Sequence, residues 1–238
     1  MNKVILTGHS KGLGKSMTLE LINRGYEVLG VSRSFSDNVA GLQQVSLDLS
    51  DSSALLEWID GGMPEAFFQD AERAILVNNS GIVTPVSPLG KQSNHEILTS
   101  ISVNVSAPLI LSNAFVEHTA NIPDRRILHI SSGAGRMGFP SWSVYCATKA
   151  ALDHHVRAVS EDGVVNLRVS SLAPGIVDTG MQAKIRSFNE NEFPKVKAFK
   201  EFKEKGDLAT PEATASRICE MLLSSDFGKD LITNVNDF

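Results

Sequence analysis

Tyr145 and Lys149 stand four residues apart in a run of good helix formers, a spacing that stacks their side chains on one helix face. A phenol and an ammonium placed this way can move a proton. Tyrosine titrates near ~10, and a positive neighbour favours its ionised form, so Lys149 is expected to lower the Tyr145 pKa toward that of a working general acid or base. Ser132 adds a hydroxyl at the end of an apolar run, Arg126 to Ser131, that reads as a buried strand, and Gly133, Gly135 and Gly138 let the chain turn back into the helix. A hydroxyl at a strand's C-terminal end faces the crevice where open α/β sheets hold ligands. Asn104, in ISVNVSAP, is a polar group on an apolar helix face and needs partners, either a buried network or a relay of backbone and water toward Lys149.

These residues need a scaffold that gathers strand ends, and the rest of the chain reads as one. Lys3–Leu6 is a short aliphatic strand that runs into TGHSKGLG and then into a helical pattern ending at Gly25. Gly8, Ser10, Lys11, Gly12, Leu13 and Gly14 would cradle a pyrophosphate at the start of that helix, where free N–H groups and the helix dipole favour anions. A second strand, Glu27–Val31, ends at Ser32-Arg33-Ser34, where a dinucleotide-binding unit meets the adenosine ribose. No carboxylate stands between Val31 and Ser36, and Arg33 can hold a 2′-phosphate through paired, charge-assisted bonds, so the expected cofactor is NADP(H). Lys11 either adds a second charge there or is simply solvated. After a third strand, Gln44–Leu47, Asp48 either meets the adenine amino group or caps the helix from Ser50 onward.

A fourth strand, Ala74–Val77, leads into Asn78-Asn79-Ser80-Gly81, of which Asn79, Ser80 and Gly81 would let the cofactor's sugar come close. A sixth strand, Val164–Leu172, ends in Pro174-Gly175-Ile176 and Thr179, whose backbone and hydroxyl would meet the nicotinamide carboxamide and a phosphate. Between the strands lie a helix over Leu55–Phe68 broken at Gly61–Pro64, a long helix over Asn94–His118 that Pro108 should bend, and a last helix over Pro211–Leu223 before a final strand, Leu231–Val235. Residues 180–206, with several aromatics among many charges, read as either a substrate lid or a packed pair of surface helices. The alternation implies an α/β fold with a doubly wound parallel sheet, helices on both faces, in one domain over 1–238.

At 238 residues and a net charge of -5, the chain can bury one sizeable core and would repel nucleic acid. MNKVILTGHS holds too short an apolar run for a signal peptide or membrane span, so a cytoplasmic location with no membrane partner is expected. Cys146 and Cys219 lack ligand or disulfide spacing, and the histidines, His154-His155 included, lack a metal pattern, so no metal is expected.

TGHSKGLG, NNSG, and Asn104, Ser132, Tyr145 and Lys149 in that order resemble the glycine loop, the Asn-Asn-Ala-Gly turn and the Asn-Ser-Tyr-Lys tetrad of the short-chain dehydrogenase/reductase family. The resemblance covers essentially the whole chain, and PGIVDTGMQ, the IRS after it and the short C-terminus look more specifically like the sepiapterin reductase and benzil reductase branch. It implies a single Rossmann-type domain with a seven-stranded parallel sheet and NADPH-dependent reduction of a ketone or diketone. Tyr145 would then give the proton, Ser132 orient the carbonyl oxygen, Lys149 hold the nicotinamide ribose, and Asn104 support a water relay. Ser80 replaces the family's alanine, and Asn234 stands where the sepiapterin branch has its pterin-anchoring carboxylate, with Asp237 the other acidic choice. An amide cannot form that charge-assisted bond, so a dicarbonyl or aryl ketone is favoured over a pterin. Val83, Met137, Phe139, Trp142, Met181 and Asn234 are the candidate substrate pocket, apolar and aromatic in character. The outward faces of the Asn104 and Tyr145 helices imply a homodimer or homotetramer. The alternatives are a sepiapterin (pterin) reductase, an NAD(P)-linked alcohol dehydrogenase and, more remotely, a non-catalytic NADP(H)-sensing protein.

Overall fold

The middles of the central strands are aliphatic and shut away from solvent, which only a sheet covered on both faces allows. In the computed structural model, which describes residues 1–238, seven strands form one parallel sheet: β1 (Asn2–Thr7), β2 (Glu27–Ser32), β3 (Leu42–Ser46), β4 (Arg73–Asn78), β5 (Asp124–Ile130), β6 (Leu167–Ala173) and β7 (Ile232–Asn234). Their order is β3-β2-β1-β4-β5-β6-β7, so the chain reverses direction across the sheet between β1 and β4 and leaves a crevice over those strands' C-terminal ends. One face is covered by α1 (Gly12–Asn23) and α9 (Pro211–Leu223), which press Met17, Leu21, Ile218 and Leu222 onto Val4, Leu6 and Ile75. The other is covered by α5 (Ala107–His118) and α6 (Ser143–Glu161), with Leu111, Phe115 and Val156 against Ile5, Leu76 and Ile127.

Several boundaries differ from the sequence reading, each for a local reason. α2 (Ser52–Asp60) is capped by Asp51, whose carboxylate accepts from the Ser53 and Ala54 N–H groups at 3.0 Å. Asp48 therefore caps no helix; it closes a turn on Ser50 N–H and hydroxyl at 2.9 and 2.8 Å. α3 (Met63–Phe68) is a separate helix with Pro64 in its first turn. α4 (Asn94–Ile101) continues through a widened π turn, Ser102–Ser106, into α5. The bend expected at Pro108 is absorbed there, because a proline in the first turn of α5 has no α-type bond to lose. β6 starts at Leu167, since Gly163 and Asn166 adopt positive φ and make a turn of the residues before it.

The N-terminal edge of the sheet is tied by charge. Asp124 is held by Arg73 (2.5 Å), Arg126 (2.9 Å) and Arg168 (2.8 Å), and although burial works against ionisation these bonds keep its carboxyl well below the usual range. At the opposite edge, residues 180–206 fold as α7 (Gly180–Ser187) and α8 (Val196–Glu204) over the crevice. Their Ile185, Phe193, Val196 and Phe199 form a third apolar cluster with Val83, Trp142 and Tyr145. The segment leaves and re-enters at one place: Asp178 N–H donates to the Ala209 carbonyl (2.9 Å), and Ala209 N–H to Ile176 (3.0 Å). The Asp178 carboxylate also joins Lys203 on α8 (2.5 Å) to Arg186 on α7 (3.7 Å).

Candidate active site

The aliphatic run of β5 delivers Ser131 and Ser132 to the crevice, and a short 3-10 turn, Gly133–Gly135, carries the chain back against α6. Gly135 has to be glycine there: a Cβ would stand 2.9 Å from the Lys149 carbonyl carbon. This contact sets Ser132 beside the first two turns of α6, where Tyr145 and Lys149 lie buried on one face. Ser132 Oγ accepts from the Ala134 N–H at 3.2 Å, and its hydroxyl lies near enough to the Tyr145 phenol to pull that group's pKa down.

Lys149 does not acidify Tyr145 in this chain as the spacing alone predicts. Its Nζ lies 5.9 Å from the phenol ring centre and donates to the Ile130 carbonyl at 2.8 Å. Burial pushes Tyr145 up to about 12 against the opposing pull of Ser132, and burial also brings Lys149 down to about 8 in spite of Asp153, one turn further along α6. Two desolvated groups each prefer to be neutral. Asp153 accepts from Ser171 (2.6 Å) and Arg136 (3.3 Å), and Arg136 donates to the Thr233 carbonyl (2.7 Å), so the lysine's neighbour is braced by β6 and β7.

Asn104 sits in the π turn below. Its Oδ1 accepts from the Ile82 N–H (2.8 Å), and its Nδ2 faces the Ile82 carbonyl (2.8 Å) and Thr148 Oγ1 (3.2 Å). Of the two roles left open for it, the buried network is present. A Cβ on Gly81 would lie 3.3 Å from Lys149 Nζ and 3.4 Å from Asn104 Oδ1, so the two side chains converge under that glycine.

A single cleft of about 1320 Å³ runs from Arg33 to the aromatic cluster, and every residue predicted to bind cofactor, from Gly8 to Thr179, lines it. The residues fit a dinucleotide. α1 has no side-chain cap, so its first N–H groups point unclaimed into the cleft's glycine end, and a Cβ on Gly14 would overlap the Gly8 carbonyl and stand 2.6 Å from Asn79 Nδ2. Thr7 Oγ1 accepts from the Asn79 and Ser80 N–H groups at 3.0 Å and joins the first loop to the fourth. Arg33 is exposed at the far end and its charge helps to lower the pKa of Asp48, which burial by itself would raise.

Of the residues expected to form the substrate pocket, Val83, Phe139, Trp142, Met181 and Asn234 line the cleft. Met137 does not: its side chain is 62% exposed, because the turn after Gly135 carries it outward. Trp142 stacks flat on Phe193 (4.7 Å between centroids, 4°) and meets Tyr145 edge-on at 5.4 Å. Asn234 Oδ1 accepts from the Asn236 N–H (3.0 Å) while Asp237 Oδ2 accepts from the Asn234 N–H (2.8 Å), so the two candidate pterin anchors cap each other. Sequence reasoning missed Leu49, Thr99, Val103, Lys195 and Arg217, which also line the cleft. The four-residue step from Thr99 to Val103 beside Asn104 was a signal for two of them. It also missed a buried polar chain in which Asn78 Nδ2 meets His129 Nδ1 (3.2 Å) and His129 Nε2 meets His155 Nδ1 (3.1 Å).

A glycine loop at the reversal point of a doubly wound sheet, joined to a serine–tyrosine–lysine cluster, defines an oxidoreductase that uses a nicotinamide dinucleotide on CH–OH or C=O groups. The chain belongs to the short chain dehydrogenase family, whose model matches residues 2–190. It is 30% identical over its full length to the full length of a benzil reductase ((S)-benzoin forming) from Bacillus cereus, and 27% identical to a sepiapterin reductase from Xenopus laevis, over 92% of this chain and 89% of that one. The crystal structure of a short-chain dehydrogenase/reductase from Burkholderia vietnamiensis superposes with a TM-score of 0.72 at 36% identity, covering 99% of this chain and 97% of that chain.

Proposed function

We propose that the chain is an NADPH-dependent carbonyl reductase for aryl ketones or diketones, with Tyr145 as the proton donor. The observation that carries this reading is the buried Tyr145 phenol standing between the Ser132 hydroxyl and an aromatic wall. The likeness to a benzil reductase supports the substrate class, and Arg33 with no acidic neighbour before Ser36 supports the phosphorylated cofactor.

Bound at the glycine loop, the nicotinamide cofactor supplies hydride. The chain's own groups do the rest. Ser132 and Tyr145 both donate to the carbonyl oxygen and polarise it, and the aromatic wall holds the aryl group and keeps water out. As negative charge grows on that oxygen, the Tyr145 proton passes to it, and the Lys149 ammonium offsets the charge left on the phenolate. Asn104, through Ile82 and Thr148, fixes the floor under Lys149. Asn234 and Asp237, already bonded to each other, leave no carboxylate turned toward a pterin.

The test is consumption of NADPH and NADH against diketones, aryl ketones and pterins, in the wild type and in Tyr145→Phe. Benzil-like diketones with NADPH should turn over fastest. Tyr145→Phe should lose roughly a hundredfold or more in kcat with NADPH affinity nearly unchanged. Full activity in that variant, or turnover of pterins alone, would refute the reading.

A further inference from the structure

The loop that follows β2 is fastened by one amide, and that amide is held from behind by an imidazole. Gln44, on β3, accepts through Oε1 from the Ser36 N–H (2.8 Å) and the Ser36 hydroxyl (3.0 Å). Through Nε2 it donates to the Ser36 carbonyl and to Asn38 Oδ1, both at 3.3 Å. A backbone N–H can only donate, so the contact with Ser36 decides which end of the amide is oxygen. That oxygen also lies 2.7 Å from His9 Nε2, and His9 must therefore carry its proton on Nε2 and donate it.

His9 belongs to the glycine loop, has no exposed surface, and does not line the cleft. Its ring occupies the slot left by Gly30 of β2, where a Cβ would stand 2.6 Å from Cδ2 and Nδ1. The Nδ1 lone pair has no partner at all. A buried, unpaired acceptor costs stability that an aliphatic residue filling the same slot would not, so the imidazole is retained for its one bond. That bond spans three strands: the loop after β1, the backbone of β2 and the side chain of β3. The exposed Ser10–Ser34 hydroxyl pair, at 3.1 Å, joins the same two loops from the solvent side.

We infer that His9 is a positioning residue for cofactor selection: through Gln44 it holds the Arg33–Asn38 loop in register with the glycine loop, so that the adenosine 2′ position is read by Arg33. The inference rests on the reading of Arg33 as the 2′-phosphate partner. His9 acts only through Gln44 and touches neither cofactor nor substrate.

The experiment measures dissociation constants for NADPH and NADH by protein fluorescence in the wild type, His9→Leu, His9→Gln, Gln44→Leu and Arg33→Ala. His9→Leu should weaken NADPH by about fivefold to tenfold, the worth of one lost buried hydrogen bond, and NADH by less than about twofold. His9→Gln, whose amide N–H can reach the same oxygen, should stay within about twofold of wild type for both, and the carbonyl KM should not move in any His9 variant. Gln44 is half-buried on an edge strand, so Gln44→Leu disturbs the core less than His9→Leu, and it should reproduce the change. An unchanged ratio of the two constants in His9→Leu and Gln44→Leu overturns the inference, as does a His9→Gln that falls as far as His9→Leu. A wild-type preference for NADH, or an equal loss of both cofactors in Arg33→Ala, overturns the cofactor reading and the inference with it, whereas an unchanged ratio in His9→Leu beside a selective loss of NADPH in Arg33→Ala overturns the inference alone.

Discussion

In the proposed reaction Tyr145 keeps its proton until charge develops beside it, and the group whose charge then matters is Lys149. Because burial lowers Lys149 to about 8, its ammonium is lost as pH rises through that value while Tyr145, pushed up to about 12, stays protonated. The reductive kcat should therefore fall on an alkaline limb near pH 8, approaching tenfold per unit, and Lys149→Met should show a low, flat profile. A limb near 10, the range of an unburied lysine or phenol, would contradict this. The identities and order of Asn104, Ser132, Tyr145 and Lys149 were readable from the sequence. The balance between tyrosine and lysine was not, because it depends on how completely both are buried, and spacing says nothing about that. The same blindness sent Met137 into the pocket when one more turn of loop carries it to the surface.

At the scale of elements, α6 sets Tyr145, Lys149 and Asp153 at four-residue steps, and the loops around it decide what each can do. Asp153 is the influence that raises Lys149, so Asp153→Asn should move the alkaline limb to lower pH. Its partners Ser171 and Arg136 should leave that variant folded, and an unmoved limb in a pH profile of kcat would show that Asp153 only braces the helix. On the substrate side, the flat stack of Phe193 on Trp142 joins the 180–206 segment to the wall beside Tyr145. Phe193→Ala should raise KM for aryl diketones about fivefold and leave a small aliphatic diketone nearly unaffected, since it removes the stack that backs Trp142 in the cleft wall, worth about 1 kcal/mol. Equal changes for both substrates would show that the Phe193 stack does not shape the aryl end of the cleft through Trp142. Strands and the outer helices were legible because their apolar periods are strong. The π turn at Ser102–Ser106 was not, since a proline at Pro108 signals trouble with the helix ladder but not how the ladder resolves it.

For the whole molecule, the two ends of the sheet respond differently to acid. His129 is buried and held neutral, first by burial and then by the nearness of His155 and Lys149, with its pKa lowered to about 3. An unfolded histidine takes up a proton near ~6.5. Between those values the unfolded chain binds more protons than the folded one, so stability falls as pH drops. About 2 kcal/mol should be lost between pH 6.5 and 5, read as a fall in the urea midpoint. Asp124, whose folded pKa is depressed by Arg126, Arg168 and Arg73, adds a second loss below about pH 4 as the unfolded carboxylate becomes protonated. A midpoint that is constant from pH 7 to 5 would mean that His129 is not kept neutral. The doubly wound order of the sheet followed from the alternation of strands and helices, but the arginines around Asp124 and the pair of His129 with His155 join residues far apart in sequence. No local pattern announces them.

The paired bonds between Ile176, Asp178 and Ala209 make a seam at which the chain departs and returns. The segment between is thus anchored at both ends by one short bridge, so its two helices hang from a single point beside the C-terminal end of the sheet.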